Sequence, residues 1–116
     1  MPAKEKNNGL RRLRRAYQEL HSELVKAYWK TESRTAKSAI QDLSGEIYDF
    51  LSEIESDSFT GKTDQLKRCS LKAGRISAKI EKSRKQIDKI VKSVKTASKI
   101  ADAMDKALDA SAKLLL

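Results

Sequence analysis

Proline is almost absent from this chain of 116 residues: Pro2 is the single example, and none follows it. Glycine is scarce as well, with four residues, and aromatic residues make up 5% of the chain. Charged residues make up 35% of the chain. Few aromatic and many charged residues argue against a wide globular core. Long proline-free stretches rich in Ala, Lys, Leu and Ile are typical of long helices, and the length allows one domain. The sequence therefore predicts an all-α protein.

Cysteine and histidine each occur once, as Cys69 and His21. A single cysteine cannot form a disulfide within the chain, and these two residues do not have the spacing of a metal site. Nor does any nucleophile have a base and an orienting group arranged around it. We therefore predict no catalytic residue, no metal, no cofactor and no small-molecule substrate, which means that the protein is not an enzyme.

Long hydrophobic runs are missing too. No apolar stretch approaches the roughly 18 residues that a membrane span needs. The first ten residues, MPAKEKNNGL, contain no apolar segment of the kind that marks a cleavable export signal. We expect a cytoplasmic protein, or one exported by a specialised secretion system that uses no such signal.

Apolar residues recur in alternating steps of three and four, the period of one helix face. The first half has one such stripe from Leu10 to Ala27 and another from Ala36 to Ile54, and the two do not join in phase across residues 30–35. Either one helix passes through a stutter there, or a short break separates two helices; we expect the single helix. In the second half the steps continue without interruption from Leu66 to Leu115.

These stripes predict a flexible basic arm over residues 1–9 and a single domain over 10–116. The domain is a long antiparallel, coiled-coil-like hairpin, with one helix over 10–55, a turn over 56–63 and a second helix over 64–115. Each helix would be about 70–80 Å long at 1.5 Å per residue. Two helices alone bury one stripe each, so we expect the hairpin to assemble into a bundle, as a homodimer or with another helical protein.

The central segment Gly61-Lys62-Thr63 has the letters that end a phosphate-binding loop. That motif needs a glycine where Ser56 stands and a strand before it, so we exclude a nucleotide site. A turn explains the segment better: Gly61 permits a positive φ, and Thr60 or Thr63 would cap the next helix.

Phe59-Thr60-Gly61, at this turn, resembles the Trp-x-Gly turn of the small helical hairpins exported by type VII secretion. The resemblance implies a hairpin whose helix faces bind a helical partner. Phenylalanine replaces the family's tryptophan here. The one match to the family's export motif, Tyr28 to Glu32, lies in the first half of the chain, whereas the family carries it after the second helix.

The net charge of +9 is unevenly distributed. In an antiparallel hairpin the acidic residues of 42–57 would face the basic residues of 62–75, and the arginines of 11–15 would face Asp102, Asp105 and Asp109. The basic residues of 79–99 would face residues 19–39, which are nearly neutral, so their positive charge would not be compensated within the hairpin. The candidate anion-binding residues are therefore Arg11, Arg12, Arg14, Arg15, Lys82, Lys85, Lys89, Lys92, Lys95 and Lys99.

Three functions remain open at this point. The first is a non-enzymatic adaptor, possibly a secretion-associated partner, that binds another helical protein. The second is a basic protein that binds nucleic acid, although residues 79–99 contain no aromatic ring on which a single-stranded base could stack. The third is binding to anionic membranes. Of the adjacent Tyr28 and Trp29, either one packs in the hairpin while the other anchors a partner, or both cover the helix stems near residues 30–35. The candidate partner-binding residues are Tyr28, Trp29, Phe59, Gly61, Val91 and Ile100.

Overall fold

The computed structural model describes the backbone of residues 2–115 and the side chains of residues 9–114. The described part is all-helical, as predicted, but it contains more helices than a hairpin has. In chain order they are α1 (Pro2–Lys30), α2 (Arg34–Glu55), α3 (Thr63–Lys85), the single turn α4 (Ile87–Ile90) and α5 (Val94–Leu115). The backbone of residues 2–9, predicted as a flexible arm, continues α1.

The expected continuous helix over residues 10–55 is wrong, because the chain breaks at residues 31–33. Ser33 has an extended backbone, with φ −69° and ψ 128°, and its side chain accepts a hydrogen bond from the backbone N–H of Ala36. A serine in this position satisfies one of the free donors at a helix start. The break lies where the two apolar stripes are out of phase, and it allows both stripes to turn toward one core.

The continuous helix over residues 64–115 is also wrong. α3 ends at Lys85, and after α4 the backbone becomes extended at Val91, with φ −118° and ψ 115°. α5 then begins at Val94, where the side chain of Ser93 accepts from the backbone N–H of Thr96. Ile87 and Val91 remain buried through this connection. The apolar pattern therefore runs on through a segment where the chain reverses.

The central turn lies where it was predicted. Gly61 has φ 77°, which is the left-handed region that favours glycine. Neither Thr60 nor Thr63 is the cap of α3, because Lys62 occupies that position. The side chain of Gln65 organises the turn instead: its oxygen accepts from the backbone N–H groups of Thr60 and Lys62, and its amide donates to the carbonyl of Ser58.

The four long helices pack around one core with an up-down-up-down course. α1 lies beside α2 and α5, and α3 lies beside the same two helices, so α1 and α3 are diagonal to each other, as are α2 and α5. The molecule measures 46 × 23 × 18 Å, well short of the predicted hairpin. The fold is thus a four-helix bundle formed within one chain.

Contacts between neighbouring helices fix their antiparallel directions. Tyr17 on α1 is hydrogen bonded to Ser111 on α5 at 3.2 Å, and the ring of Tyr17 meets that of Phe50 on α2 edge to face, with centroids 5.2 Å apart. Between α2 and α3, Glu53 pairs with Lys72, and Glu46 pairs with Lys79. The acidic residues of α2 therefore face basic residues of α3, as the charge pattern indicated.

Candidate anion-binding end of the bundle

The basic residues of 79–99 are partly neutralised by the fold. Lys79 pairs with Asp42 and Glu46, and the hydrogen bond that its ammonium donates to Glu46 is the main reason that its pKa is raised. Arg84 pairs with Asp105 across α3 and α5 at 3.2 Å. The remaining basic side chains of this segment are exposed, and within the described part of the chain none forms an ion pair. They are Lys82, Lys85, Lys89, Lys92, Lys95 and Lys99.

The connection between α3 and α5 lies at the same end of the bundle as the connection between α1 and α2. Residues 26–37 hold the break between α1 and α2, residues 82–99 hold the break between α3 and α5, and both line one cleft. Together the two segments carry eleven basic and two acidic residues, which leaves fourteen of each in the rest of the chain. The whole net charge of +9 is therefore accounted for by these two segments. We call this region the basic end.

A cleft of about 350 Å³ opens at the basic end between the two connections. Three ammonium groups lie around it, those of Lys30, Lys89 and Lys92, together with one carboxylate, that of Glu32. Four side-chain hydroxyls also line it, and they belong to Thr31, Ser33, Ser93 and Thr96. Ammonium groups and hydroxyls are the side-chain donors that contact phosphate oxygens.

Helix dipoles add little to the positive electrostatic potential of the basic end. At the basic end α2 and α5 begin while α1 and α3 finish, so two positive and two negative termini lie together. Lysine and arginine in the last turns of α1 and α3 compensate the negative termini; they are Lys30, Lys82, Arg84 and Lys85. The charge of the basic end thus comes from its side chains.

The arginine cluster lies elsewhere. Arg11, Arg12, Arg14 and Arg15 are exposed on the first half of α1, toward the opposite end of the bundle. Within the described structure these arginines form no ion pair with the C-terminal aspartates; Asp105 pairs with Arg84 and Asp109 with Lys113. Arg12 and Arg15 line a shallow cavity that also contains Glu19 and Asp109. The structure therefore does not unite this cluster with the lysines of the basic end.

The candidate partner-binding residues divide differently from what was predicted. Val91 and Ile100 are buried in the core, so they form no second contact face. Phe59 is half-buried against the core, next to the turn that contains Gly61. Core packing accounts for the three apolar residues, and the positive φ of the turn accounts for Gly61.

Tyr28 and Trp29 differ in exposure, whereas the role of either one as a partner anchor stays a prediction. Tyr28 is half-buried against the core, whereas Trp29 is 76% exposed. Trp29 lies in the last turn of α1, within the basic end. Its neighbour Lys30 lines the cleft together with Lys89 and Lys92. Sequence reasoning did not bring this end of α1 together with the lysines of 82–99, which lie more than 50 positions along the chain.

Cys69 and His21 have structural roles. Cys69 is buried, and burial raises the pKa of its thiol; His21 stacks on Tyr48, with ring centroids 5.9 Å apart. Among the described residues no group of three His, Cys, Asp or Glu side chains could hold a metal ion. No helix in the described part of the chain is both long and apolar enough to cross a bilayer.

Comparison of the chain with models of protein families, with curated proteins and with solved structures finds no match. The resemblance of Phe59-Thr60-Gly61 to the type VII secretion hairpins therefore stays a prediction.

Proposed function

We propose that this protein is a non-enzymatic bundle that binds the phosphate backbone of nucleic acid through its basic end. The observation that carries the proposal is the set of six exposed lysines without an ion-pair partner in the described structure. Two of them, Lys89 and Lys92, line the cleft together with Lys30 and the hydroxyl residues. Phosphate contacts of this kind are independent of sequence and release condensed counterions.

The first function named from the sequence, an adaptor for another helical protein, rested on an apolar stripe left uncovered by a two-helix hairpin. The bundle buries that stripe within one chain, including Val91 and Ile100. A second copy is therefore not needed to complete the core. A helical partner is the second candidate, favoured by the exposed Val25 and Tyr48 on neighbouring helices. A role in secretion would belong to this second candidate.

Salt dependence tests the proposal. Fluorescence anisotropy of a labelled 20-bp duplex should show binding that weakens by about 10³-fold between 50 and 200 mM salt if all six lysines contact phosphates. Replacing Lys89, Lys92 and Lys95 with glutamine should reduce the slope of log K against log salt by about three. The lack of any binding at 50 mM salt, to this duplex and to a single strand of the same length, would refute the proposal.

A matched variant controls for net charge. Lys62, Lys67 and Arg68 are exposed at the other end of α3 and form no ion pair in the described structure. Their replacement with glutamine removes the same three charges but should leave the slope within about one of the wild-type value. Equal losses in both triple variants would mean that overall charge, and not the basic end, attracts the nucleic acid. Anionic vesicles added in parallel show whether lipid phosphate competes for the same residues.

A further inference from the structure

Trp29 is the single tryptophan of the chain, and its exposure needs an explanation. Burying a large aromatic side chain stabilises a folded protein, so an indole left 76% exposed gives up that stabilisation. The ring stands in the last turn of α1, directly before Lys30, which lines the cleft of the basic end. An exposed ring whose neighbour in sequence lines the cleft is a candidate contact for a ligand.

The neighbours of Trp29 hold its ring from one side. Tyr28 packs against the core, and its ring meets that of Trp29 edge to face, with centroids 5.4 Å apart and an interplanar angle of 89°. The ammonium of Lys37, on α2, lies 5.2 Å from the centre of the Tyr28 ring. Because Tyr28 is anchored at the core and touched by α2, the indole has a fixed support while most of its surface faces solvent.

We infer that Trp29 is a stacking platform for a base of single-stranded nucleic acid, whose flanking phosphates are held by the lysines around the cleft. The inference rests on the proposed function and names its ligand class. Bases in a duplex are stacked on one another and cannot reach an indole, whereas every base of a single strand has a free face. The aromatic ring that residues 79–99 lack is thus supplied by α1, through the fold.

A membrane surface is the other ligand that lysines and tryptophan suit. Peripheral helices bind bilayers by burying a continuous apolar face. At the basic end the exposed large apolar side chains of the described structure are Trp29 and Val94, each followed by a lysine and close to others. Val25, one helical turn before Trp29, adds a side chain that is 38% exposed. So few exposed apolar groups among lysines and hydroxyls fit a base and its phosphates better than a lipid interface.

The test uses the full-length protein, fluorescein-labelled dT12 and a 12-bp duplex of the same label at 50 mM salt. Wild-type protein should bind dT12 more tightly than the duplex, and excess unlabelled dT12 should quench the Trp29 emission. Trp29→Ala should weaken dT12 binding by about 5- to 150-fold, since stacking contributes about 1–3 kcal/mol per base. The affinity of the Trp29→Ala variant for the duplex, and the slope of its log K against log salt, should stay at the wild-type values.

Two variants control for unspecific effects. Trp29→Phe keeps an aromatic face and should recover much of the dT12 affinity, while Tyr48→Ala removes an aromatic ring that is 59% exposed on the middle of α2 and should change nothing. Circular dichroism should show the same helix content in all variants.

The outcomes separate the inference from the proposed function. If neither dT12 nor the duplex binds, the proposed function fails and the inference with it. If both bind equally and Trp29→Ala matches the wild type, the inference alone is overturned. A blue shift of the Trp29 emission with phosphatidylserine vesicles, without quenching by dT12, would also overturn it and assign the indole to a membrane surface.

Discussion

Replacing Ile100 with alanine separates the single-chain bundle from an assembly of hairpins. Ile100 is 0% exposed and belongs to the core of the bundle, whereas in a hairpin it would lie off the main seam and face a partner. Truncating a fully buried isoleucine costs about 2–5 kcal/mol of stability. A chain of this length has a free energy of unfolding of about 6–17 kcal/mol, so the loss is a large fraction of the total.

Urea unfolding followed by circular dichroism measures this loss. The midpoint of Ile100→Ala should fall by at least about 1 M, with an m-value equal to that of the wild type. The fall should be the same at 2 and 200 µM protein, because the contacts of Ile100 lie within one chain. Val94→Ala is the matched control on the same helix, since Val94 is 83% exposed, and it should change stability by no more than about 0.5 kcal/mol. A midpoint that shifts only at low protein concentration would refute the reasoning and place Ile100 at an interface between chains.

Three further predictions concern single residues. Gly61→Ala should destabilise the protein by about 1 kcal/mol or more in thermal unfolding, because φ is 77° there. Ser33→Ala removes the cap of α2 and should cost about 0.5–2 kcal/mol in the same assay, whereas Ser33→Asp should retain most of it. Burial raises the pKa of Tyr17, although its hydrogen bond to Ser111 lowers it in part. The folded chain therefore holds this proton where the unfolded chain loses it, so stability is full below about pH 10 and falls as the pH rises further. Tyr17→Phe should show a shallower fall in urea titrations between pH 9.5 and 11, and an equal fall would contradict the assignment.

Local signals in the sequence predicted the helices and the central turn. Gly61 and the surrounding Ser, Thr and Asp residues marked the turn, and the steps of three and four marked core positions such as Leu20, Ile47 and Ile80, which are buried. These features depend on neighbouring residues, which is why one sequence is enough to find them.

The two other reversals could not be predicted in the same way. Ile87, Ile90 and Val94 continue the apolar steps across the second break, and neither break contains glycine or proline. The visible signals were the change of phase over residues 30–35 and the serines at positions 33 and 93, which serve as caps. Serine is too common in exposed helix positions for such a signal to decide between a break and a continuous helix.

The candidate site was predictable in part for the same reason. The excess of lysine over residues 79–99 is a property of one segment, and it identified most of the basic end. The proximity of Lys30, the residue that follows Trp29, to Lys89 and Lys92 depends on how α1 packs against α5. That packing is a tertiary property, so the aromatic part of the site became visible only in the folded structure.

The distance between residues 18 and 55 tests most directly whether α1 and α2 fold back on each other, as the four-helix bundle requires. In the structure the side chain of Gln18 donates a hydrogen bond of 2.9 Å to Glu55, which joins α1 to α2. Spin labels at these two positions, in a chain with Cys69→Ala, can be measured by double electron–electron resonance. The bundle predicts a separation of no more than about 25 Å, roughly two helix diameters. A single continuous helix would hold the labels about 55 Å apart, at 1.5 Å per residue, and that result would contradict the account.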